Sequence, residues 1–559
     1  MKTKTATWKV IRGGKWPALL SGLALLMLGG GFVLLPDTDL YLKINKGIDV
    51  FGRVYREITV NYVDEIDPEK FMQAGIDGML GTLDPYTVYI DKEEGDEVDL
   101  LTTGKYGGIG VTIGARDGAL KVITVMDGYS AQRAGIIPGD RLIEVGGVTV
   151  GTKKPDEVRS LTRGEPGTEV KVIIERDGVK KPIEFALIRE EIQVKNVTYA
   201  GFLGDGIGYI RLERFSRKAG EEVRQAIKEM KIQGDIKGLV LDLRGNPGGL
   251  LDAAVDVVSK FVPRGSPIVT TKGRKPEADK AYQSTEEPLL PSTPLVVLTD
   301  RGSASASEIV AGALQDLDRA LIVGTRTFGK GLVQTILPLN FGAQLKITTA
   351  RYYIPSGRSI QEIDYQHRDK NGVFATVPDS LRREFKTLRG RKEFEFGGIA
   401  PDSVVRDEDV GPMVRELLKR ALLFKFANSY ITAHKGEKIT GIDESILSAF
   451  RTFLDREKFD YQEEMEGKIT DLRQVAERSH YTPEVSETLD RLELTLQKEK
   501  THGFERYKDH ITNELNIEIM ARLEGDRGRI EASLKGDLPL LAAEGLLKDR
   551  KTYTKKLGL

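Results

Sequence analysis

A chain of 559 residues has room for roughly three or four domains, each with its own core. Hydrophobic residues at 40% and charged residues at 30% exclude a disordered chain, and a formal net charge of −1 gives no basis for a nucleic-acid partner. The absence of cysteine excludes disulfides and thiolate metal sites. None of the five histidines (His367, His434, His480, His502, His510) has zinc-ligand spacing, so no metal is expected.

Residues 1–15 carry Lys2, Lys4, Lys9, Arg12 and Lys15 and no acid. Residues 17–35 are charge-free and largely apolar, just long enough to span a bilayer, with the basic flank on the cytoplasmic side. The favoured reading of 1–36 is an uncleaved transmembrane anchor. A cleaved signal peptide is the competing one, although no A-x-A site follows the apolar run. Residues 37–98 have apolar side chains at helical spacing (Ile48, Phe51, Val54, Tyr55, Ile58, then Phe71, Ile76, Met79, Leu80), punctuated by Pro68 and the Leu83-Asp84-Pro85-Tyr86 turn. They read as a helical packing segment and a candidate dimerisation surface.

Residues 99–192 read as short strands between glycine turns: Tyr106-Gly107-Gly108-Ile109-Gly110-Val111, then Ser130 to Gly135, Pro138 to Val145, and Arg163-Gly164-Glu165-Pro166-Gly167-Thr168. In this order they resemble a PDZ domain. The resemblance implies capture of a peptide C-terminus by strand addition, with Gly107, Gly108, Ile109 and Gly110 as the carboxylate loop.

From 193 to 405 the pattern becomes α/β. Ile207-Gly208-Tyr209-Ile210 reads as a strand, 220–231 as an amphipathic helix, and Leu239-Val240-Leu241-Asp242-Leu243 as a strand running into Arg244-Gly245-Asn246-Pro247-Gly248-Gly249. That loop lacks the glycine spacings of phosphate or dinucleotide cradles. Residues 272–291 read as a surface excursion over the cleft. A buried strand, Leu295-Val296-Val297-Leu298, leads to Ser305 and Glu308, an S-x-x-E pattern ahead of Ile309, Val310, Ala313, Leu314 and Leu317 at helical spacing. Taken alone, Ser305 is a helix N-cap with Glu308 closing a capping box. Small residues (Gly302, Ser303, Ala304, Ala306) surround it, however, and a second strand, Ala320 to Val323, leads to a glycine-rich loop carrying Lys330. A strand–helix–strand unit brings Ser305 and Lys330 to one sheet edge, where helix N–H groups favour negative charge. Residues 335–339 and 344–350 read as a hairpin around Asn340-Phe341-Gly342, and the insert 362–396 is unassigned.

The run S-A-S-E, A-G-A-L-x-D, T-F-G-K-G-x-V-Q within 302–334 resembles the catalytic region of the carboxyl-terminal processing, or tail-specific, proteases. YYIPSGRSIQ (352–361) and GIAPD (398–402) match their closing motifs, and the resemblance runs from about residue 40 to 405. It implies an α/β, crotonase/ClpP-like serine protease core with a mostly β PDZ domain. Ser305 then matches the nucleophile, Lys330 the general base and Gln334 the residue that orients the lysine. Ala306 N–H with Gly248 or Gly249 N–H would form the oxyanion hole, and Arg163 would couple the PDZ domain to the site. A lysine base requires an apolar setting, since an exposed lysine titrates near ~10.4. All histidines lie beyond Lys330, so the lysine is the simpler base. No cofactor is implied. The expected partners are proteins or peptides with accessible C-termini. Two rivals are a non-catalytic PDZ adaptor or chaperone with a degenerate core, and an acyl-CoA enzyme on the related fold.

Residues 406–559 are rich in Lys, Glu, Arg and Leu and read as a helical extension for self-assembly or docking of an adaptor protein. With the anchor, the whole implies a single-pass bacterial inner-membrane protein whose catalytic part is periplasmic.

Overall fold

The computed structural model describes residues 38–91, 98, 100, 102–116, 118–151, 153–368, 374–378, 380, 382–406 and 408–559. The chain divides into two compact units, the first ending at Thr82 and the second starting at Leu83. In the first unit, helices Thr38–Asn61 and Pro68–Leu80 are joined by a Tyr55–Phe71 ring stack (5.7 Å) and a Tyr55 hydroxyl bond to Pro68 O (2.8 Å). Asp67 caps the second helix by accepting from Glu69 and Lys70 N–H.

The expected inner-membrane anchor, and the single-pass periplasmic placement built on it, is corrected. Among the described residues no helix is long and apolar enough to cross a membrane. Helix Thr38–Asn61 has the length, but it carries Asp39, Lys43, Lys46, Asp49, Arg53, Arg56 and Glu57, which hydrocarbon does not solvate. The run 17–35 lies outside the described residues.

The second unit is built on a six-stranded sheet in the order Val197–Gly204, Ile207–Leu212, Gly238–Asp242, Leu295–Thr299, Leu321–Gly324, Ser403–Val404. The first pair is antiparallel and the rest are parallel. Continuous apolar runs form these central strands because both faces are covered. Ile210, Leu239, Leu241, Val297 and Ile322 pack on helices Ala219–Gln233, Leu251–Ser259 and Ala306–Asp316. The alternate residues Tyr209, Val240, Val296, Leu298, Leu321 and Val323 pack on Leu540, Leu547, Tyr553 and Leu557. Those four side chains come from the last two helices, Leu538–Lys548 and Arg550–Leu557. The end of the C-terminal extension is therefore one layer of the α/β core. The Tyr553 hydroxyl bonds both backbone groups of Leu295 (3.0 Å each), and Asp537 pairs with Arg244 (2.6 Å). Much of the rest of the extension forms a separate helical core around Phe426, Phe450, Ile511 and Leu515, while helices Glu464–Arg478 and Pro483–Thr501 bury Ile469, Leu489 and Leu496 in a small cluster of their own.

A second sheet joins Val88–Ile90, Gln344–Tyr353, Pro267–Gly273 and Lys280–Gln283, with Leu332–Pro338 paired to Gln344–Tyr353 around Asn340–Gly342, which is the expected hairpin. The stretch read as a surface excursion thus supplies a sheet strand, Lys280–Gln283. The unassigned insert contains two hairpins. The second, Glu384–Lys386 with Lys392–Phe394, is tied to the core by an Arg391–Asp318 ion pair (2.6 Å) and by Leu388 N–H donating to Asp316 O (2.7 Å). A six-stranded antiparallel sheet with helices Ser130–Ala134 and Pro155–Thr162 has Val111–Arg116 at one edge.

Because Leu547 is 4% exposed against the sheet and Leu541, on the same helix, is 52% exposed, Leu547→Ala is expected to lower the unfolding free energy by about 2–5 kcal/mol and Leu541→Ala by under about 0.5. Denaturant titration of the two variants measures this. Equal midpoints would contradict the assignment of this helix to the core.

Candidate active site

Strand Leu295–Thr299 ends at Asp300, whose Oδ1 accepts from Gly245 N–H (2.9 Å), Gly302 N–H (2.9 Å) and Ser303 N–H (3.0 Å). This tight turn delivers Ser305 at φ 53°, ψ −111°, one residue before the buried helix Ala306–Asp316. An L-residue held there costs about 1–3 kcal/mol, and such strained strand-to-helix turns lift a side chain clear of the backbone. The flanking serines are committed elsewhere. Ser303 Oγ donates to Leu243 O (2.8 Å) and Ser307 Oγ to Asn246 O (2.9 Å). Among the described residues nothing bonds Ser305 Oγ, and its side chain does not cap the helix. Ser305 thus holds the expected N-cap position through its backbone, with Glu308 reaching back to its N–H.

The other half of the expected capping box does form, and it does more than cap. Glu308 is fully buried. One carboxylate oxygen accepts from Ser305 N–H (2.8 Å) and Lys330 N–H (2.9 Å), the other from Thr327 Oγ1 (2.6 Å) and Gly329 N–H (2.7 Å). Burial pushes its carboxyl up, opposed by these donors. Sequence reasoning placed Glu308 on the helix but not on the lysine loop. Tyr352, also missed, lies fully buried with its hydroxyl 2.7 Å from Lys330 O and 3.1 Å from Ser305 O. The two loops that carry Ser305 and Lys330 are therefore tied twice.

Burial, reinforced by the charge of Lys346, pulls the Lys330 amine down to about 8, while Asp84 and Glu308 pull the other way. Its Nζ lies 4.0 Å from the centroid of the Tyr86 ring, and Tyr86 is steadied by a hydroxyl contact with Tyr365 (3.1 Å) and an N–H bond to Asp84 (2.9 Å). The apolar setting that a lysine base requires draws on an aromatic ring far upstream, which no local pattern signals. Among the described residues no hydrogen bond joins Lys330 Nζ to Ser305 or to Gln334. Gln334 Nε2 instead donates to Thr348 Oγ1 (3.1 Å), so its expected bond to the lysine is not made in this arrangement.

Beside Ser305 runs the glycine loop. Asn246 holds it: Nδ2 donates to Leu212 O (2.7 Å), Oδ1 accepts from Gly248 N–H (2.9 Å), and its carbonyl accepts from Ala304 N–H (3.0 Å). Gly248 lies so close to the nucleophile that a Cβ there would meet Ala304 O at 2.7 Å and Ala306 N at 2.9 Å. With Gly248 N–H engaged by Asn246, Gly249 N–H and Ala306 N–H are the donors left without hydrogen bonds among the described residues.

Gly107 and Gly108 belong to a separate two-stranded sheet, Lys105–Gly108 paired with Glu190–Gln193, and Ile109 and Gly110 lead from it into the edge strand of the PDZ-like sheet. The Arg163 guanidinium lies 4.7 Å over the Tyr106 ring at the start of this loop. Among the described residues no group of three His, Cys, Asp or Glu could hold a metal ion.

A buried ammonium is a cost to the fold. With the Lys330 amine at about 8 in the folded chain and 10.5 unfolded, the unfolded state binds more protons between those values, so stability rises with pH across that window. Below it, Lys330→Met is expected to stabilise the chain by up to about 3 kcal/mol, less the contribution of the Tyr86 contact. The gain fades from pH 8 and vanishes above 10.5. Unfolding titrations at pH 7 and pH 10.5 measure it, and a pH-independent difference would contradict the desolvated amine.

The chain resembles known proteins in four segments. The profile of peptidase family S41 matches residues 206–367 and that of the PDZ domain residues 121–176. Profiles described as the activating protease CtpB N-terminal domain and the C-terminal helical domain of a probable PDZ-protease match 39–94 and 413–547. A carboxy-terminal-processing protease of Bartonella bacilliformis is 42% identical over 386 residues, covering 67% of this chain and 88% of that protein. One from Synechocystis is 34% identical over 374 residues, covering 63% of this chain and 87% of that protein. Among solved structures, a photosystem II D1 C-terminal processing protease aligns with a TM-score of 0.33 at 30% identity, covering 59% of this chain and 91% of the other. The chain belongs to the carboxy-terminal processing proteases of peptidase family S41, serine-type peptidases that carry a PDZ domain and act on the C-terminal tails of polypeptides.

Proposed function

We propose that the chain hydrolyses peptide bonds by acyl transfer, with Ser305 as nucleophile and neutral Lys330 as general base. The observation that carries this reading is the contrast among Ser303, Ser305 and Ser307: only Ser305 has an uncommitted hydroxyl, and its backbone shares the Glu308 carboxylate with Lys330. Ser305 Oγ attacks the scissile carbonyl carbon as its proton passes to Lys330 Nζ. The C–N bond then breaks, the leaving amine takes that proton, and water releases the acyl group from Ser305 in the reverse sense. For the first transfer the amine leaves the Tyr86 ring for Ser305 Oγ, a swing that its four-carbon stem allows, and Gln334 exchanges Thr348 for the amine. Ala306 N–H and Gly249 N–H receive the developing oxyanion, with Gly248 shaping the approach.

Substrate tails are delivered by strand addition to Val111–Arg116, the terminal carboxylate lying at Gly107 to Gly110. Arg163, stacked on Tyr106, stands where an occupied carboxylate loop would be felt by the core. The helical bundle around Phe450 offers the surface for self-assembly or an adaptor protein.

The test is cleavage of an unfolded protein with an apolar C-terminus by the full chain and by Ser305→Ala and Lys330→Ala. Cleavage by the unsubstituted chain alone is expected, with Lys330→Ala costing at least about 10²-fold in kcat. Because the base acts when neutral, kcat/KM rises as pH increases and levels off above about 8. Cleavage surviving in both variants would overturn the mechanism.

A further inference from the structure

The glycine loop also lines a cleft of about 410 Å³ whose floor includes Gly248, Gly249 and Phe215 and whose wall carries Arg214. Phe215 fixes the position of Arg214 relative to the catalytic turn: its N–H donates to Gly248 O (3.2 Å) and its carbonyl accepts from Leu250 N–H (2.8 Å). The other charged residues in the lining are neutralised. Arg211 pairs with Glu213 (2.9 Å), and Arg244 pairs with Asp242 (2.7 Å) and Asp537 (2.6 Å). Among the described residues of the lining, Arg214 alone is charged without an ion pair or hydrogen bond, and its Nε is buried without a partner. The next polar group in the cleft, Ser216 Oγ, is likewise buried and unpartnered. Buried donors are ordinarily satisfied, so the unpartnered Nε singles out this part-exposed arginine, whose charge no acid in the lining offsets and an anionic occupant would.

We propose that Arg214, with Ser216 Oγ, forms a carboxylate-binding subsite of the active-site cleft, selecting polypeptides that place an acidic side chain or a free C-terminal carboxylate close to the cut bond. The proposal rests on Ser305 being the nucleophile, since that places the cut bond beside Gly248 and Gly249. A guanidinium offers a carboxylate two parallel N–H donors, and the hydroxyl adds a third. Substrates with an amide in place of the acid leave those donors unpaired and are cleaved more slowly.

Two peptide series test this. In one, a single Glu or Gln is walked across about four residues on each side of the cut bond. In the other, the C-terminus is free or amidated. Each series is read as kcat/KM with the full chain, Arg214→Gln and Arg214→Glu, and as binding by fluorescence anisotropy in a Ser305→Ala background. The unsubstituted chain is expected to prefer acid over amide by at least about tenfold in one series, which identifies the source of the carboxylate. Arg214→Gln is expected to bring that ratio near one, and Arg214→Glu to favour Lys at the same position. An equal ratio in the unsubstituted chain and Arg214→Gln would overturn the subsite. Acid preference in binding that depends on Arg214, with no cleavage by the unsubstituted chain, would support the subsite and sink the Ser305 reading alone.

Discussion

A single carboxylate, buried and surrounded by donors, determines the geometry of this protein. Glu308 receives Ser305 N–H and Lys330 N–H on one oxygen and Thr327 Oγ1 and Gly329 N–H on the other. Leaving any of those donors unpaired in a dry interior costs about 1–3 kcal/mol, so the turn before the helix and the loop after the next strand move as one piece. That coupling lets a strained Ser305 persist. It also leaves the Lys330 amine largely buried, with the Tyr86 ring against it. The Tyr352 hydroxyl repeats the tie from below, through the carbonyls of the same two residues.

The frame around this unit is closed by parts of the chain that lie far from it. Helices Ala219–Gln233, Leu251–Ser259 and Ala306–Asp316 cover one face of the six-stranded sheet, and the last two helices cover the other. Arg244 reaches from the glycine-loop strand to Asp537 at the start of that final layer. The glycine loop is thus held between Asn246 on the inside and the C-terminal helices on the outside. The end of the chain belongs to the peptidase core, and the helical bundle that precedes it has a core of its own.

The strand–helix–loop unit that carries Ser305 and Lys330 was legible because it is local. Buried strand, small-residue turn, helix and glycine loop follow one another within 295–334, and period and turn chemistry carry each of them. What the chain pattern could not convey depends on distant partners. Tyr86 reaches Lys330 only through the fold, and Glu308 looks like an ordinary capping residue until Thr327 to Lys330 close over it. Asn246 stood inside a quoted motif without a role, since its partners Leu212 and Ala304 lie on other elements. Alternation in Ile207–Leu212 and Leu295–Thr299 was masked because both faces are buried, so the covering role of Leu547 and Tyr553 was invisible. Charge-rich helices gave only their type, because their partners are set by packing and not by period.

The most direct measurement is the rate at which a fluorophosphonate labels the full chain as a function of pH, with the adduct located by peptide mass spectrometry. The account predicts one adduct, on Ser305, forming with a rate that climbs to a plateau through about pH 8 and is lost when Lys330 is Met. Labelling of a different serine, or labelling of Ser305 that is flat with pH and indifferent to Lys330, would contradict it.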